Sequence, residues 1–185
     1  MKKFSIILLS GILIGVTACQ PKAEPSSSVD NEKLVMATLY VQQAAEFNAL
    51  NHQAYNIGKV RLDQILSTKQ GDKKLAIVVD IDETVLDNSP FEAKSILEKT
   101  SYPLYWAEWC NLAKAESVAG ALEFLSYAAE QGVETFYISN RKVELYDVTL
   151  SNLISNGFPF ADSAHVLLRS TTSDKEPRRS LVKEN

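Results

Sequence analysis

Cysteine is scarce in this sequence: Cys19 and Cys110 are the two that its 185 residues contain, too few for a disulfide framework. Histidine is as scarce, and neither His52 nor His165 stands in a pattern that points to a role. No long block of Lys or Arg occurs and the formal net charge is −4, which argues against a nucleic-acid polymer as partner, because affinity for a phosphate backbone needs clustered positive charge. Runs long enough to span a bilayer comfortably are missing too, since the apolar run from Phe4 to Val16 falls short. There is no internal repeat. What the sequence does hold is 45% hydrophobic and 23% charged residues, the balance of a single folded domain.

Lys2 and Lys3 ahead of the Phe4 to Val16 run read as a secretion signal over residues 1–18. The string Val16-Thr17-Ala18-Cys19 resembles the lipobox of bacterial lipoproteins, which implies that Cys19 is lipidated and becomes the new N-terminus. Two or three acyl chains hold a protein on a membrane stably. The alternative is an ordinary signal peptide that leaves Cys19 free. Gln20 is not the Asp that resembles an inner-membrane retention signal, so a cell-envelope location at the outer membrane is expected if the cell is Gram-negative. Residues 19–30, rich in Pro and Ser, have the composition of a flexible tether. Cys110, in an apolar stretch, is expected to be a buried structural thiol.

Past the tether, Asp30 or Asn31 can cap a long helix in which Leu34, Leu39, Leu50, Ile57 and Ile65 recur at helical spacing, breaking near Gly58 or ending near Thr68. Leu75 to Val79 is a continuous apolar run, predicted as a strand buried on both faces. An irregular, aromatic-rich segment follows from about residue 90 to 116. Then come a helix from Ser117 to Gln131 closed by Gly132, a strand from Glu134 to Ile138, a helix from Lys142 to Asn156 stopped by Gly157, and a strand from His165 to Leu168. This alternation predicts an α/β fold with a Rossmann-like parallel sheet, whose ligands bind at the carboxyl ends of the strands.

At that end of the first strand stands Asp80-Ile81-Asp82-Glu83-Thr84. Two carboxylates two residues apart in a tight loop can face one pocket. Asp80 can attack phosphorus to form an aspartyl phosphate, and Asp82 can protonate the leaving alkoxide and then activate the hydrolytic water. For the first task Asp82 must carry a proton, from which an acidic optimum follows. After the second strand, Ser139 can hydrogen-bond a phosphoryl oxygen, or be a plain turn residue. Past the third, Lys175 at the start of a helix over residues 176–183 can neutralise phosphate charge, or be a solvated charge beside Arg178 and Arg179.

Asp80-x-Asp82-x-Thr84, Ser139 in Ile138-Ser139-Asn140-Arg141, and Lys175 resemble the first three motifs of the haloacid dehalogenase superfamily. The fuller string Val79 to Ser89, Trp106-x-x-Trp109 and Gln53-Ala54-Tyr55-Asn56 resemble, more narrowly, the class C bacterial acid phosphatases, over nearly all of the chain after the tether. The resemblance implies a Mg²⁺-dependent phosphomonoesterase that often accepts nucleoside 5′-monophosphates, with Asp80, Asp82, Ser139 and Lys175 catalytic. Thr84, Asn140, Arg141 and Trp106 then meet substrate, and the metal is held by Asp80 and the backbone carbonyl of Asp82. It also places a small, mainly helical cap in the insertion after the first motif. There Tyr102, Tyr105, Trp106 and Trp109 either stack on a nucleobase or form the cap's own core, the latter expected for Trp109. No Arg-His-Gly string supports a histidine acid phosphatase.

In that family a fourth acidic motif completes the metal site. No Gly-Asp-Asn string follows Lys175, and the ten residues to Asn185 are too few for a helix, a strand and a loop. The expectation is of a fragment or a shortened product that lacks its last strand or strands and is inactive or nearly so. Two alternatives stand beside the phosphatase: another phosphotransferase on the same aspartyl-phosphate chemistry, and a non-catalytic envelope lipoprotein.

Overall fold

In chain order the elements are α1 (Glu32–Gln43), α2 (Ala45–Thr68), β1 (Ala76–Val79), β2 (Leu86–Asp87), α3 (Ser89–Leu97), α4 (Trp106–Leu112) and β3 (Glu116–Ser117). They continue with α5 (Ala121–Glu130), β4 (Glu134–Lys142), a single 3-10 turn (Val143–Leu145), α6 (Tyr146–Ser155), β5 (Val166–Arg169) and α7 (Glu176–Glu184). This computed structural model describes residues 31–68, 71 and 74–184. The predicted signal peptide, Cys19 and the tether up to residue 30 lie outside the described residues. No helix among the described residues is long and apolar enough to cross a membrane.

The α/β expectation holds, since β1, β4 and β5 form a parallel sheet in the order β1-β4-β5. β2 and β3 make a separate antiparallel pair that brackets α3 and α4, so the aromatic segment is a helical insertion between the two strands of a small flap. The main core gathers Ile81 and Val85 from the loop after β1, Leu86 from β2, Ala121 and Leu125 from α5, Tyr137 from β4 and Leu153 from α6. Burying that apolar surface between sheet and helices drives the assembly.

Three elements differ from the sequence reading. The long N-terminal helix breaks at Ala44, which is extended with ψ 123°, and Gly58 lies inside an unbroken α2. Gly58 packs closely against α5: a Cβ there would meet the Phe124 ring at 3.2 Å, a tight contact. Asn31 stands at the α1 N-terminus without a side-chain cap; its amide instead donates to the carbonyls of Ser95 and Thr100, pinning α1 to the insertion. β1 was expected to be covered on both faces, yet Ala76 and Val78 on one face are exposed, Val78 at 42%, and among the described residues the strand is an edge strand paired with β4 alone. Several of the recurring apolar residues of α1 and α2, including Leu34, Leu50, Ile57 and Ile65, are likewise exposed.

The β3 end of the flap is fixed to α6 by two asparagine side chains. Buried Asn152 accepts from the Ala115 N–H at 3.2 Å and donates to its carbonyl at 2.8 Å. Asn156 also donates to that carbonyl, at 3.0 Å. In Asn152→Ala the carbonyl therefore keeps a partner and the N–H does not. A buried orphan donor costs about 1–3 kcal/mol. Urea denaturation of Asn152→Ala is expected to show a loss of that size, and an unchanged midpoint would contradict it.

Candidate active site

The chain turns sharply after β1. The carbonyl of Ile81 accepts from the N–H groups of Val85 and Leu86 at 2.9 and 3.0 Å, and Glu83 takes the left-handed conformation (φ 53°) that closes the turn. Few non-glycine residues adopt that region, so the loop is held by its surroundings. Tyr55 of α2 contributes by donating its hydroxyl to the Thr84 carbonyl. The result places Asp80 at the strand tip and Asp82 on the next bend, both at the carboxyl end of the sheet.

Asp80 is half-exposed, with 40% of its side chain accessible, and Lys175 meets its Oδ2 at 2.6 Å. Its Oδ1 accepts from the Ile81 N–H at 2.8 Å. Lys175 comes from the loop before α7, and Arg178 secures that helix by donating to the carbonyl of Ser139, to Asn140 Oδ1 at 2.8 Å and to the Asp174 carbonyl at 3.1 Å. Burial pulls the Arg178 guanidinium below its ordinary value, while the Asp80 carboxylate acts in the opposite direction. The sequence reading assigned Arg178 no role; its anchoring contact is with a strand residue 39 positions away.

Asp82 is surrounded by donors. Arg141 Nε and Asn88 Nδ2 both reach its Oδ1 at 2.9 Å, Arg141 Nη2 lies 2.8 Å from the same oxygen, and Ser139 Oγ donates to Oδ2 at 3.2 Å. Ser139 lies inside β4 instead of after it, because that strand runs on to Lys142 with an irregular register beyond Ile138. Its hydroxyl is fully buried and also accepts from the Arg141 N–H at 3.0 Å.

Over residues 16–185 the sequence matches the family described as HAD superfamily, subfamily IIIB (acid phosphatase). The chain belongs to this subfamily. The HAD fold is also that of two similar solved structures, both of class C acid phosphatase from Bacillus anthracis. The one with tungstate bound is 44% identical, with a TM-score of 0.79, and the match covers 82% of this chain and 64% of that one. The other is 45% identical, with the same TM-score and coverage. The class C acid phosphatase resemblance read from the motifs is thus borne out, and the chain spans about 64% of the length of these relatives.

HAD acid phosphatases generally use a divalent metal. The described residues do not by themselves fit a complete site for one. Asp80 offers a carboxylate that Lys175 already meets, Asp82 could offer its backbone carbonyl, and the Asp82 side chain is held by Arg141 and Asn88. No group of three or more His, Cys, Asp or Glu that could hold a metal ion occurs among the described residues. Mg²⁺ asks for near-octahedral oxygen coordination.

Of the residues expected to meet substrate, Asn140 is exposed but engaged by Arg178, and Thr84 receives Tyr55 at its backbone. Trp106 packs edge-on against Phe91 and Tyr102, with ring centroids 5.0 and 5.9 Å away. Arg141 departs most from expectation. It is buried, and its guanidinium faces Asp82, Asn88 and Thr149, so the geometry gives it a partner inside the protein in place of a substrate contact. Asn88 was not singled out from the sequence, although it stands in the Asp87-Asn88-Ser89 string, because nothing in an isolated Asn signals its partners.

Cys110 is buried, as expected of a structural thiol. Burial pushes its thiol up to about 11; Arg141 opposes the shift and Asp82 adds to it. An acid whose folded value is raised keeps its proton while the unfolded chain releases it. Between the ordinary thiol value and about 11, stability therefore falls as pH rises, and Cys110→Ala is expected to flatten that slope in thermal melts. Iodoacetamide should label native Cys110 slowly at pH 8 and rapidly after denaturation, because the thiolate is the nucleophile. Equal labelling rates in the two states would refute the assignment.

Proposed function

We propose that the chain binds the phosphoryl group of small phosphomonoesters at Asp80 and Lys175 and hydrolyses them through an aspartyl phosphate. The observation that carries this reading is the 2.6 Å pairing of Asp80 with Lys175 beside the donor-ringed Asp82. Asp80 Oδ2 attacks phosphorus and the alkoxide leaves with a proton from Asp82. Asp82 then takes a proton from water as that water attacks the aspartyl phosphate, which restores Asp80 and releases inorganic phosphate. Lys175 exchanges its contact with Asp80 for one with the phosphoryl oxygens and offsets their charge. Nucleoside 5′-monophosphates are the substrate class favoured by the resemblance, with the aromatic insertion as the surface for the base. Mg²⁺ is the metal favoured on the same ground, and it would need ligands beyond the described residues. Anchoring to the cell envelope through lipidated Cys19 belongs to the same proposal and rests on the lipobox-like string.

One observation favours a second reading, binding without turnover: among the described residues no group of three or more His, Cys, Asp or Glu that could hold a metal ion is found. Tungstate, the oxyanion bound to the Bacillus anthracis relative, is a suitable probe. The purified chain is assayed with p-nitrophenyl phosphate and adenosine 5′-monophosphate at pH 5–6 with and without Mg²⁺, and tungstate binding is measured by calorimetry. Turnover inhibited by tungstate supports the hydrolase. Tungstate binding without turnover supports the second reading, and neither turnover nor binding overturns both.

A further inference from the structure

We propose that Asn88 and Arg141 are positioning residues that hold the Asp82 carboxylate with one oxygen saturated and the other turned toward Ser139, and that Trp109 of the helical insertion locks this arrangement. The inference rests on the reading of Asp82 as the acid–base group. A carboxyl that gives and takes a proton works best with one oxygen held and the other left to the reaction. Oδ1 of Asp82 is held, with Asn88 Nδ2 at 2.9 Å, Arg141 Nε at 2.9 Å and Arg141 Nη2 at 2.8 Å. Oδ2 is met by Ser139 Oγ at a longer 3.2 Å.

The orientation of Asn88 is forced. Trp109 Nε1–H meets one end of its amide at 2.8 Å and Arg141 Nη2 meets the same atom at 3.3 Å. Both are donors without acceptor capacity, so that atom is the carbonyl oxygen and the NH₂ must face Asp82. Without the indole N–H, the amide loses its shorter constraint. Arg141 is fixed in the same way, because Nη1 donates to the buried Thr149 hydroxyl at 3.3 Å and the guanidinium carbon lies 5.4 Å from the Trp106 ring centroid. Asn88, Arg141 and Thr149 are all buried, so water is a poor substitute for any of these partners.

Trp109 sits on α4, in the segment inserted between the strands of the flap. A displacement of that helix is therefore felt at Asp82 through a single amide. The insertion acts on the acid–base group as well as on the space above it.

The test uses the full 185-residue chain. Trp109→Phe removes the indole N–H and keeps a ring. A positioning role predicts that kcat for p-nitrophenyl phosphate falls roughly tenfold or more while KM holds, since small misplacements of a reacting group are costly. A purely structural role would lower the melting temperature and leave kcat per folded molecule unchanged, which would overturn the proposal. A second measurement does not depend on turnover. Each of the two tryptophans gives one indole cross-peak in ¹H–¹⁵N spectra, assigned with single Trp→Phe variants. Asp82→Asn is expected to move the Trp109 cross-peak by more than a linewidth through Asn88, and a stationary peak would also overturn the proposal. If the unsubstituted chain shows no turnover, the hydrolase reading fails, and the spectra still decide whether Trp109 is coupled to Asp82.

Discussion

On the proposed mechanism, Asp80→Asn is expected to abolish phosphomonoester hydrolysis, lowering kcat by at least about 10⁴-fold, and at the same time to tighten the binding of tungstate. The two effects have opposite signs for one reason. The amide keeps the size of the side chain and can still accept from the Ile81 N–H, but it is no nucleophile for phosphorus. It also carries no charge. The dianion then meets Lys175 without a competing carboxylate 2.6 Å from the ammonium, a change of several kcal/mol at 4 Å for an effective dielectric near 20 and less where water screens it. Tungstate affinity should rise by about tenfold or more, corresponding to about 1.4 kcal/mol. Because Asp80 is half-exposed, the lost ion pair should cost at most about 1 kcal/mol of stability, so the fold survives the substitution. Hydrolysis within about tenfold of the unsubstituted chain would remove Asp80 from the nucleophile's role.

Arg141→Met should be the most destabilising of the single substitutions considered. The guanidinium is 1% accessible and its partner Asp82 is 23% accessible, so removing the cation leaves a largely buried carboxylate with fewer donors. Breaking such a pair costs about 3–5 kcal/mol, and the partial exposure of Asp82 argues for the lower end. About 3 kcal/mol corresponds to a fall in melting temperature of about 6–12 °C in a chain of this size. Asp82→Asn combined with Arg141→Met should recover much of the loss, since the double variant buries no unpaired charge. Melting curves of the two single variants and the double variant supply the coupling energy. A single-variant loss below about 0.5 kcal/mol would show that the pair is not a structural element.

Much of the fold could be read from local pattern. The apolar run before Asp80, Gly132 after α5 and Gly157 after α6 each mark a boundary that the structure reproduces within a few residues. The helix break could not be read. Ala44 carries no turn chemistry, while Gly58, which does, stays inside α2 with the Phe124 ring close against it. In the site, the motif strings singled out Asp80, Asp82, Ser139 and Lys175, and the structure brings them together in two contacts, Lys175 with Asp80 and Ser139 with Asp82. The assignment of Arg141 was not legible, because a polar residue beside a motif looks the same whether it faces substrate or core. Its partner is 59 positions away, and only the parallel register of β4 against β1 brings the two together. Arg178 escaped notice for the same reason, since its partner Ser139 is 39 positions away.

Among the described residues the outer edge of β1 has no strand partner, which bears on how this 185-residue chain behaves at high concentration. An edge strand offers a row of unpaired N–H and C=O groups, and here Val78 and the bare apolar side chains along α2 add stickiness to it. Natural edge strands discourage such pairing with charge, most often lysine. In β1 the run Ala76-Ile77-Val78-Val79 carries none, so colloidal stability falls to the net charge of the chain, −4. Concentrated solutions should therefore be most prone to precipitate near the isoelectric point, in the same mildly acidic range that suits the proposed chemistry.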